Sequence, residues 1–223
     1  MTFDDRFLGF VTDASDDLLF ARIASDIREQ GYSICPNALP VSLADEICQQ
    51  LYGLDEQDFH AAGIGRLSQH GKDPRVRTDR ICWFTGETET GQRWLSWAEH
   101  LQTYLNRSLF MGLFSFESHL AFYKPGDFYT RHFDAFQDRR NRVLSLVVYL
   151  NKDWQADQGG ELVLYRNPQD QTGIRVMPEM GTVVLFLSEE FPHEVLPTKR
   201  DRFSIAGWFR VNSSTPERVD PPA

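Results

Sequence analysis

The alternation of side chains along Val143–Leu150 constrains the fold more than any other feature of the sequence. Successive side chains of a β-strand point to opposite faces of its sheet, so alternate positions share a face. One face of this segment is entirely aliphatic and consists of Leu144, Leu146, Val148 and Leu150. The other face is mixed and consists of Val143, Ser145, Val147 and Tyr149. The segment is therefore predicted to be a strand with apolar support on one side and a pocket on the other.

The segment Arg202–Phe209 repeats this scheme near the end of the chain. Its apolar face carries Phe203, Ile205 and Phe209, and its mixed face carries Arg202, Ser204, Ala206 and Trp208. Glycine and proline turns separate further predicted strands at Glu161–Tyr165 and Gly181–Leu187. Strands with an apolar outside and a mixed inside favour a barrel or jelly roll that holds a ligand.

Three predicted helices precede the core strands and supply the apolar support, which makes the fold class α+β. The first begins at Ser15, has an apolar stripe and ends at Gly31; the stripe consists of Leu18, Leu19, Ile23 and Ile27. Pro40 and a Ser42-x-x-Asp45 capping box open the second helix. The third has an apolar face made of Trp94, Trp97, Leu101, Tyr104 and Leu105. Short strands are predicted at Tyr32–Cys35 and Ile81–Phe84.

The pattern predicts one domain with two flexible tails. Residues 1–14 form the N-terminal tail, residues 15–210 the domain and residues 211–223 the C-terminal tail. Within the domain, helical support occupies residues 15–108 and the β core occupies residues 115–210. A polar, basic and glycine-rich stretch at residues 63–80 interrupts the support, and irregular stretches of this length are usually functional or disordered.

Charge and cysteine usage exclude several classes of protein. The net charge of -9 disfavours a generic nucleic-acid binder, because binding to phosphates needs positive charge. Acidic residues in Met1–Phe10 argue against a signal peptide, and Val143–Leu150 is too short to span a bilayer. Three cysteines without metal-type spacing suit a reduced, cytoplasmic protein. We expect no nucleic-acid or membrane partner, and a monomer.

His132 and Asp134 are the first candidates for a metal site. They lie two positions apart, so a strand would direct both side chains to one face. A His-x-Asp pair alone arises by chance in about half of chains of this composition. The third candidate is His193, which comes after the run Thr182–Leu187 and is expected at the end of another strand. Two histidines and one carboxylate with open positions form the arrangement typical of non-haem Fe(II).

Arg202 indicates what else this site binds. It lies on the inward face of its strand, where no Asp or Glu accompanies it, and an unpaired buried guanidinium is costly. A ligand carboxylate is its natural partner, with Tyr149 as a second donor. A dicarboxylate that binds iron at one end and Arg202 at the other is 2-oxoglutarate.

Several segments of this sequence resemble the 2-oxoglutarate- and Fe(II)-dependent prolyl hydroxylases. The resemblance is to the hydroxylases of hypoxia-inducible factor and, most of all, to their bacterial relatives of the elongation factor Tu type. It extends over about residues 18–210 and is carried by Tyr129-Thr-Arg-His-Phe-Asp134, Tyr149-Leu-Asn-Lys-Asp-Trp154, Gly159-Gly-Glu-Leu162, Phe191-Pro-His-Glu-Val195 and Arg202–Trp208. Arg77-Thr-Asp-Arg-Ile-Cys-Trp83 resembles the family's strand beyond its mobile substrate loop.

The resemblance implies a distorted double-stranded β-helix with the N-terminal helices packed on its major sheet. It implies Fe(II) at His132, Asp134 and His193, with 2-oxoglutarate at Arg202 and Tyr149 and with dioxygen as oxidant. Tyr123 and Trp208 would line the pocket, and Arg77, Asp79 and Arg142 would meet the substrate. The segment before Arg142 is about one residue longer than in the family. The implied substrate is a prolyl residue of a protein such as elongation factor Tu, with ascorbate as a supporting reductant.

Three other hypotheses compete with this interpretation. A small-molecule oxygenase on the same scaffold would share the metal site and Arg202, although the basic stretch at residues 63–80 favours a macromolecular substrate. A zinc hydrolase or isomerase of the cupin type could use the same three ligands but leaves Arg202 and Tyr149 unexplained. A binding module without turnover predicts a missing ligand, and all three are present.

Overall fold

The computed structural model describes residues 14–62, 73–135 and 141–213. Its helices are α1 (Ala14–Gln30), α2 (Val41–Tyr52) and α3 (Glu89–Leu109), with 3₁₀ turns at Glu56–Asp58 and Ala156–Gln158. Its first strands are β1 (Tyr32–Cys35), β2 (His60–Ala61), β3 (Arg80–Trp83), β4 (Leu113–Tyr123), β5 (Tyr129–His132) and β6 (Arg142–Tyr149). The later strands are β7 (Leu162–Leu164), β8 (Ile174–Val176), β9 (Val183–Leu187), β10 (His193–Val195) and β11 (Arg202–Val211).

The strands form two antiparallel sheets. The seven-stranded sheet has the order β1-β9-β6-β11-β4-β3-β2, and the four-stranded sheet has the order β5-β10-β7-β8. Long neighbours β4, β11 and β6 form the centre of the larger sheet and pair along most of their length. Two antiparallel sheets with three helices confirm the predicted α+β class and the distorted double-stranded β-helix.

The three helices pack on the outer face of the seven-stranded sheet. The cluster that joins them contains Ile23, Ile47, Trp94 and Leu101 from the helices and the predicted aliphatic face of β6 from the sheet. Leu18 does not belong to it, since its side chain is 75% exposed. At about 100° per residue, Leu18 lies on the side of α1 opposite Ile27, and Phe20 takes the buried position instead.

The helix ends show which local signals shape the chain. Thr88 caps α3 by accepting a hydrogen bond from the main chain of Gly91. The predicted Ser42–Asp45 capping box is wrong, because Pro40 occupies the N-cap of α2 and no side chain caps it. Gly31 ends α1 with a φ of 79°, and an added Cβ there would lie 2.8 Å from the Phe191 ring. Glycine is therefore required at this turn by conformation and by space.

The inner face of the seven-stranded sheet packs against the four-stranded sheet. Their common cluster includes Ala121, Tyr149 and Phe186 from the larger sheet and Leu164 and Val195 from the smaller one. Alternation along β6 therefore separates the outer core from the inner one, as predicted. The pocket side chains are held between the two sheets.

Some predictions fall outside the described part of the chain. Residues 1–13, 63–72 and 214–223 are among those not described, so the two tails and most of the basic stretch stay predictions. Residue 14 belongs to α1 and residue 211 to β11. Among the described helices, none has the length and apolar composition that a membrane crossing requires.

Candidate active site

The structure brings together the three predicted metal ligands. His132 ends β5 and pairs directly with His193, the first residue of the adjacent strand β10. Asp134 follows two residues after His132, and one ligand atom of each residue lies within 4.8 Å of the others. Asp134 carboxylate oxygens are 3.6 Å from His132 Nε2 and 3.5 Å from His193 Nε2. The three side chains thus converge on one point.

Main-chain carbonyls orient both histidine rings. His132 Nδ1 lies 2.8 Å from the carbonyl oxygen of Thr130, and His193 Nδ1 lies 3.2 Å from that of Phe191. A carbonyl oxygen accepts a hydrogen bond, so Nδ1 is the donor in each ring and Nε2 is the nitrogen that faces Asp134. Burial lowers the pKa of His193 to about 4, with the nearby His132 acting in the same direction. His193 is therefore neutral at neutral pH, as a ligand must be.

A serine pair fixes the carboxylate. Ser145 Oγ donates to Asp134 Oδ2 at 2.6 Å and lies 2.9 Å from Ser188 Oγ. Burial alone would raise the pKa of Asp134, but the adjacent His193 and His132 hold it well below its ordinary value. Asp134 is therefore a carboxylate, and Ser145 is the polar residue that the mixed face of β6 predicted.

His193 lies on a separate strand from the one that follows Thr182. That earlier strand, β9, ends at Leu187. The chain then leaves the seven-stranded sheet, and His193 begins β10 in the four-stranded sheet. This crossing allows His193 to face His132 on β5.

Arg202 lies buried at the other end of the inner face. Its exposed fraction is 1%, Nε donates to the Gly160 carbonyl at 2.8 Å, and Nη1 donates to Ser204 Oγ at 3.2 Å. The guanidinium carbon is 4.8 Å from the centre of the Tyr123 ring and 5.2 Å from that of Tyr149. Within the described ranges, no carboxylate pairs with Arg202. A buried cation between two tyrosines is a receptor for an anion.

The hydroxyl of Tyr149 is available to the same anion. It is fully buried and has no hydrogen-bond partner among the described residues. Burial raises the pKa of Tyr149 to about 12, against the opposing charge of Arg202, so the phenol keeps its proton and can donate it. Burial also raises the pKa of Tyr123.

Arg142 stacks on Trp208, which pairs across the strands with Ser145, the residue that holds Asp134. The guanidinium carbon of Arg142 lies 3.6 Å from the centre of the Trp208 ring. Glu117 holds Arg142 in place by accepting from its Nη2 at 2.8 Å and from its Nε at 3.2 Å. Sequence reasoning did not single out Glu117, although its position on β4 has the same parity as Tyr123.

Arg77 and Asp79 form a pair that reaches a metal ligand through an aromatic ring. Arg77 Nε and Nη2 donate to the two Asp79 oxygens at 2.7 and 2.6 Å. The Arg77 guanidinium lies 4.2 Å above the Tyr129 ring, which stacks on His132 at 3.5 Å. Asp79 is only 1% exposed, and Arg77 is its charged partner.

Comparison with known proteins gives consistent matches. The model of the 2OG-Fe(II) oxygenase superfamily matches residues 118–210. The hypoxia-inducible factor prolyl hydroxylase of Caenorhabditis elegans is 27% identical over 86% of this chain and 28% of that protein. Human Egl nine homolog 1 is 29% identical over 82% of this chain and 44% of that protein. The chain thus spans less than half the length of these two relatives.

Two solved structures share the fold over nearly their whole length. A Pseudomonas putida prolyl-4-hydroxylase is 35% identical, with a TM-score of 0.75 over 87% of this chain and 100% of that one. A prolyl hydroxylase from Trichoplax adhaerens, solved with a hypoxia-inducible factor peptide fragment, is 27% identical with a TM-score of 0.75. The match covers 87% of this chain and 90% of the Trichoplax adhaerens chain. The chain belongs to the 2OG-Fe(II) oxygenase superfamily.

Proposed function

We propose that this protein is a 2-oxoglutarate- and Fe(II)-dependent dioxygenase that hydroxylates a prolyl residue of a protein substrate. The observation that carries the proposal is a pair of features between the two sheets. One is the cluster of His132, Asp134 and His193. The other is the buried Arg202, which has no acidic partner among the described residues. This pairing suits a dicarboxylate that reaches from a metal ion to a guanidinium.

The donor set fits Fe(II). Two imidazoles and one carboxylate converge from one side and leave the remaining coordination positions open. When bound, Fe(II), 2-oxoglutarate and dioxygen together supply the oxidation of a C–H bond, with succinate and carbon dioxide as co-products. The Nδ1 contacts of both histidines and the Ser145 contact to Asp134 hold the ligands in the orientation that binding needs.

Arg202 and Tyr149 are proposed to bind the distal carboxylate of 2-oxoglutarate. The two hydrogen bonds of Arg202 to protein atoms leave part of its five-donor group uncommitted, and the Tyr149 hydroxyl has no described partner. Tyr123 covers the guanidinium from the side. Because all three are buried, the carboxylate would meet these donors with little competition from water.

Arg77, Asp79 and Arg142 are proposed to contact the protein substrate. Arg142 lies over the Trp208 ring, and Arg77 connects the segment before β3 to Tyr129 and His132. The prolyl hydroxylases among the relatives support a proline as the target. Elongation factor Tu is the candidate substrate that the sequence resemblance suggests. Ascorbate support, a monomeric state and a cytoplasmic location stay predictions.

Oxygen incorporation into proline tests the proposal directly. We would incubate purified protein with Fe(II), ascorbate, 2-oxoglutarate and a cell extract, and search by mass spectrometry for proline residues that gain one oxygen. The His132→Ala variant serves as the control. Succinate formation without any modified proline would instead favour a small-molecule oxygenase on the same scaffold.

A further inference from the structure

Three polar atoms on the inner face of the larger sheet are buried without a hydrogen-bond partner. They are the Tyr149 hydroxyl on β6, Nδ1 of His119 on β4 and Nε1 of Trp208 on β11, and none has a partner among the described residues. Buried polar groups are almost always hydrogen-bonded. Three such atoms on one face therefore indicate a ligand that passes along it.

Strand register sets the order of these atoms. Residues directly opposite one another in neighbouring strands share a face, and we call each inward-facing set a row. The Ser204 row is Ala121, Ser204 and Tyr149; the Ala206 row is His119, Ala206 and Val147; the Trp208 row is Glu117, Trp208 and Ser145. Rows that share a face are about 7 Å apart along the strand.

The two ends of the proposed co-substrate fall on the outer two of these rows. Arg202 reaches Ser204 through Nη1, which places the guanidinium at the Ser204 row. Ser145 holds Asp134, which places the metal ligands at the Trp208 row. A molecule that reaches from the Arg202 guanidinium to the metal ligands must cross the Ala206 row. In that row Ala206 has a small side chain, and His119 is the polar residue.

The His119 ring is held firmly in place. It meets the Trp83 ring edge-on with centroids 5.4 Å apart, and it lies 5.3 Å from the Trp208 ring. Its exposed fraction is 3%, and burial lowers its pKa to about 3, so the imidazole is neutral and offers one donor and one acceptor. A preoriented donor loses little freedom when a ligand binds.

We propose that His119 binds the co-substrate by a hydrogen bond from Nδ1 to the carboxylate at its metal-binding end. This inference rests on the proposed function. If His119 only filled space, an apolar residue of similar size would serve better, because a buried nitrogen without a partner destabilises the fold. The unpartnered Nδ1 on the middle row is the reason to assign it a ligand.

Co-substrate affinity tests this assignment without turnover. We would load the protein with Mn(II), exclude dioxygen and measure 2-oxoglutarate binding by titration calorimetry. For His119→Leu, we expect affinity for 2-oxoglutarate to fall about tenfold or more, the effect of losing one hydrogen bond to a charged group, with Mn(II) affinity unchanged. His119→Asn places a polar group where Nδ1 lies and should retain most of the affinity. His119→Gln places it near Nε2 instead and should not.

Matched controls separate the outcomes. His100→Leu changes a histidine on α3 and should bind 2-oxoglutarate like the parent protein. Equal affinity of His119→Leu and the parent, or equal losses in the Asn and Leu variants, would overturn the hydrogen-bond assignment. If His119→Leu does not fold, the Asn and Gln variants still test the assignment. Equal 2-oxoglutarate affinities of these two variants would contradict a donor at Nδ1. Failure of the parent protein to bind 2-oxoglutarate would overturn the proposed function as well.

Discussion

Replacing Arg202 with methionine should remove the dependence of stability on 2-oxoglutarate. The side chain keeps a similar length but loses the guanidinium that lies beside Tyr149 and Tyr123. If the substitution removes two hydrogen bonds to the carboxylate, each contributes about 1.5–3 kcal/mol to the lost binding free energy. The affinity for 2-oxoglutarate should then fall by about 10²–10⁴-fold. The proposed metal ligands His132, Asp134 and His193 form a separate cluster and should keep their affinity for Mn(II).

Thermal unfolding of the Mn(II)-loaded protein measures this effect. At a 2-oxoglutarate concentration about 100 times the parental Kd, the parent gains about 2.7 kcal/mol of unfolding free energy, whereas a 100-fold weaker variant gains about 0.4 kcal/mol. For a domain of this size these gains correspond to a rise in Tm of about 5–10 °C and under about 2 °C.

Arg200→Met is the matched control for this measurement. Arg200 lies two residues from Arg202, but it contacts Gln158 and the Trp154 ring instead of the pocket. The control should therefore shift like the parent. An Arg202→Met protein that keeps the full ligand-induced rise would refute the assignment of Arg202 as the carboxylate receptor.

Three further predictions concern the metal site, the buried ion pair and the response to acid. His132→Ala should abolish 2-oxoglutarate turnover while circular dichroism shows an intact fold; turnover in the folded variant would contradict the metal assignment. Asp79→Asn should lower the unfolding free energy in urea by about 3–5 kcal/mol, because it leaves Arg77 buried without its carboxylate. The exposed Asp73→Asn should change it little. His119 has a pKa of about 3 when folded and about 6.5 when unfolded, so below about pH 6.5 the unfolded chain takes up a proton that the folded chain does not. Stability therefore falls as pH decreases towards 3. The His119→Leu variant lacks this proton uptake, so its unfolding free energy, measured in urea, should fall less steeply with pH, by the contribution of about one proton.

Local patterns were sufficient to predict β6 and β11 and the two faces of each. The alternation along β6 and β11 has period two over eight or more residues, so each face could be read without knowing the neighbours. The strands β8 and β10 have only three residues each, and no period can be detected over that length. The sequence pattern therefore gives no bounds for the strand that holds His193.

The site was predictable in its residue types but not in its connections. Strand parity placed Arg202 and Tyr149 inward because parity is a local property. The pairing of His132 with His193 and the stacking of Arg77 on Tyr129 depend on contacts between distant segments, which no local pattern contains. The inward direction of His119 could have been predicted, since it lies four residues from Tyr123 on β4 and shares its face.

The metal ligands do not all belong to one layer of the protein. His132 and His193 lie on adjacent strands of the four-stranded sheet, whereas Asp134 is anchored through Ser145 to the seven-stranded sheet. An ion bound by all three would act as a non-covalent cross-link between the layers. Amide hydrogen exchange in β5, β7, β8 and β10 should then slow when metal is added, while exchange in the helices on the far side of the larger sheet changes little. The smaller sheet would thus gain rigidity from the ion that the proposed activity requires.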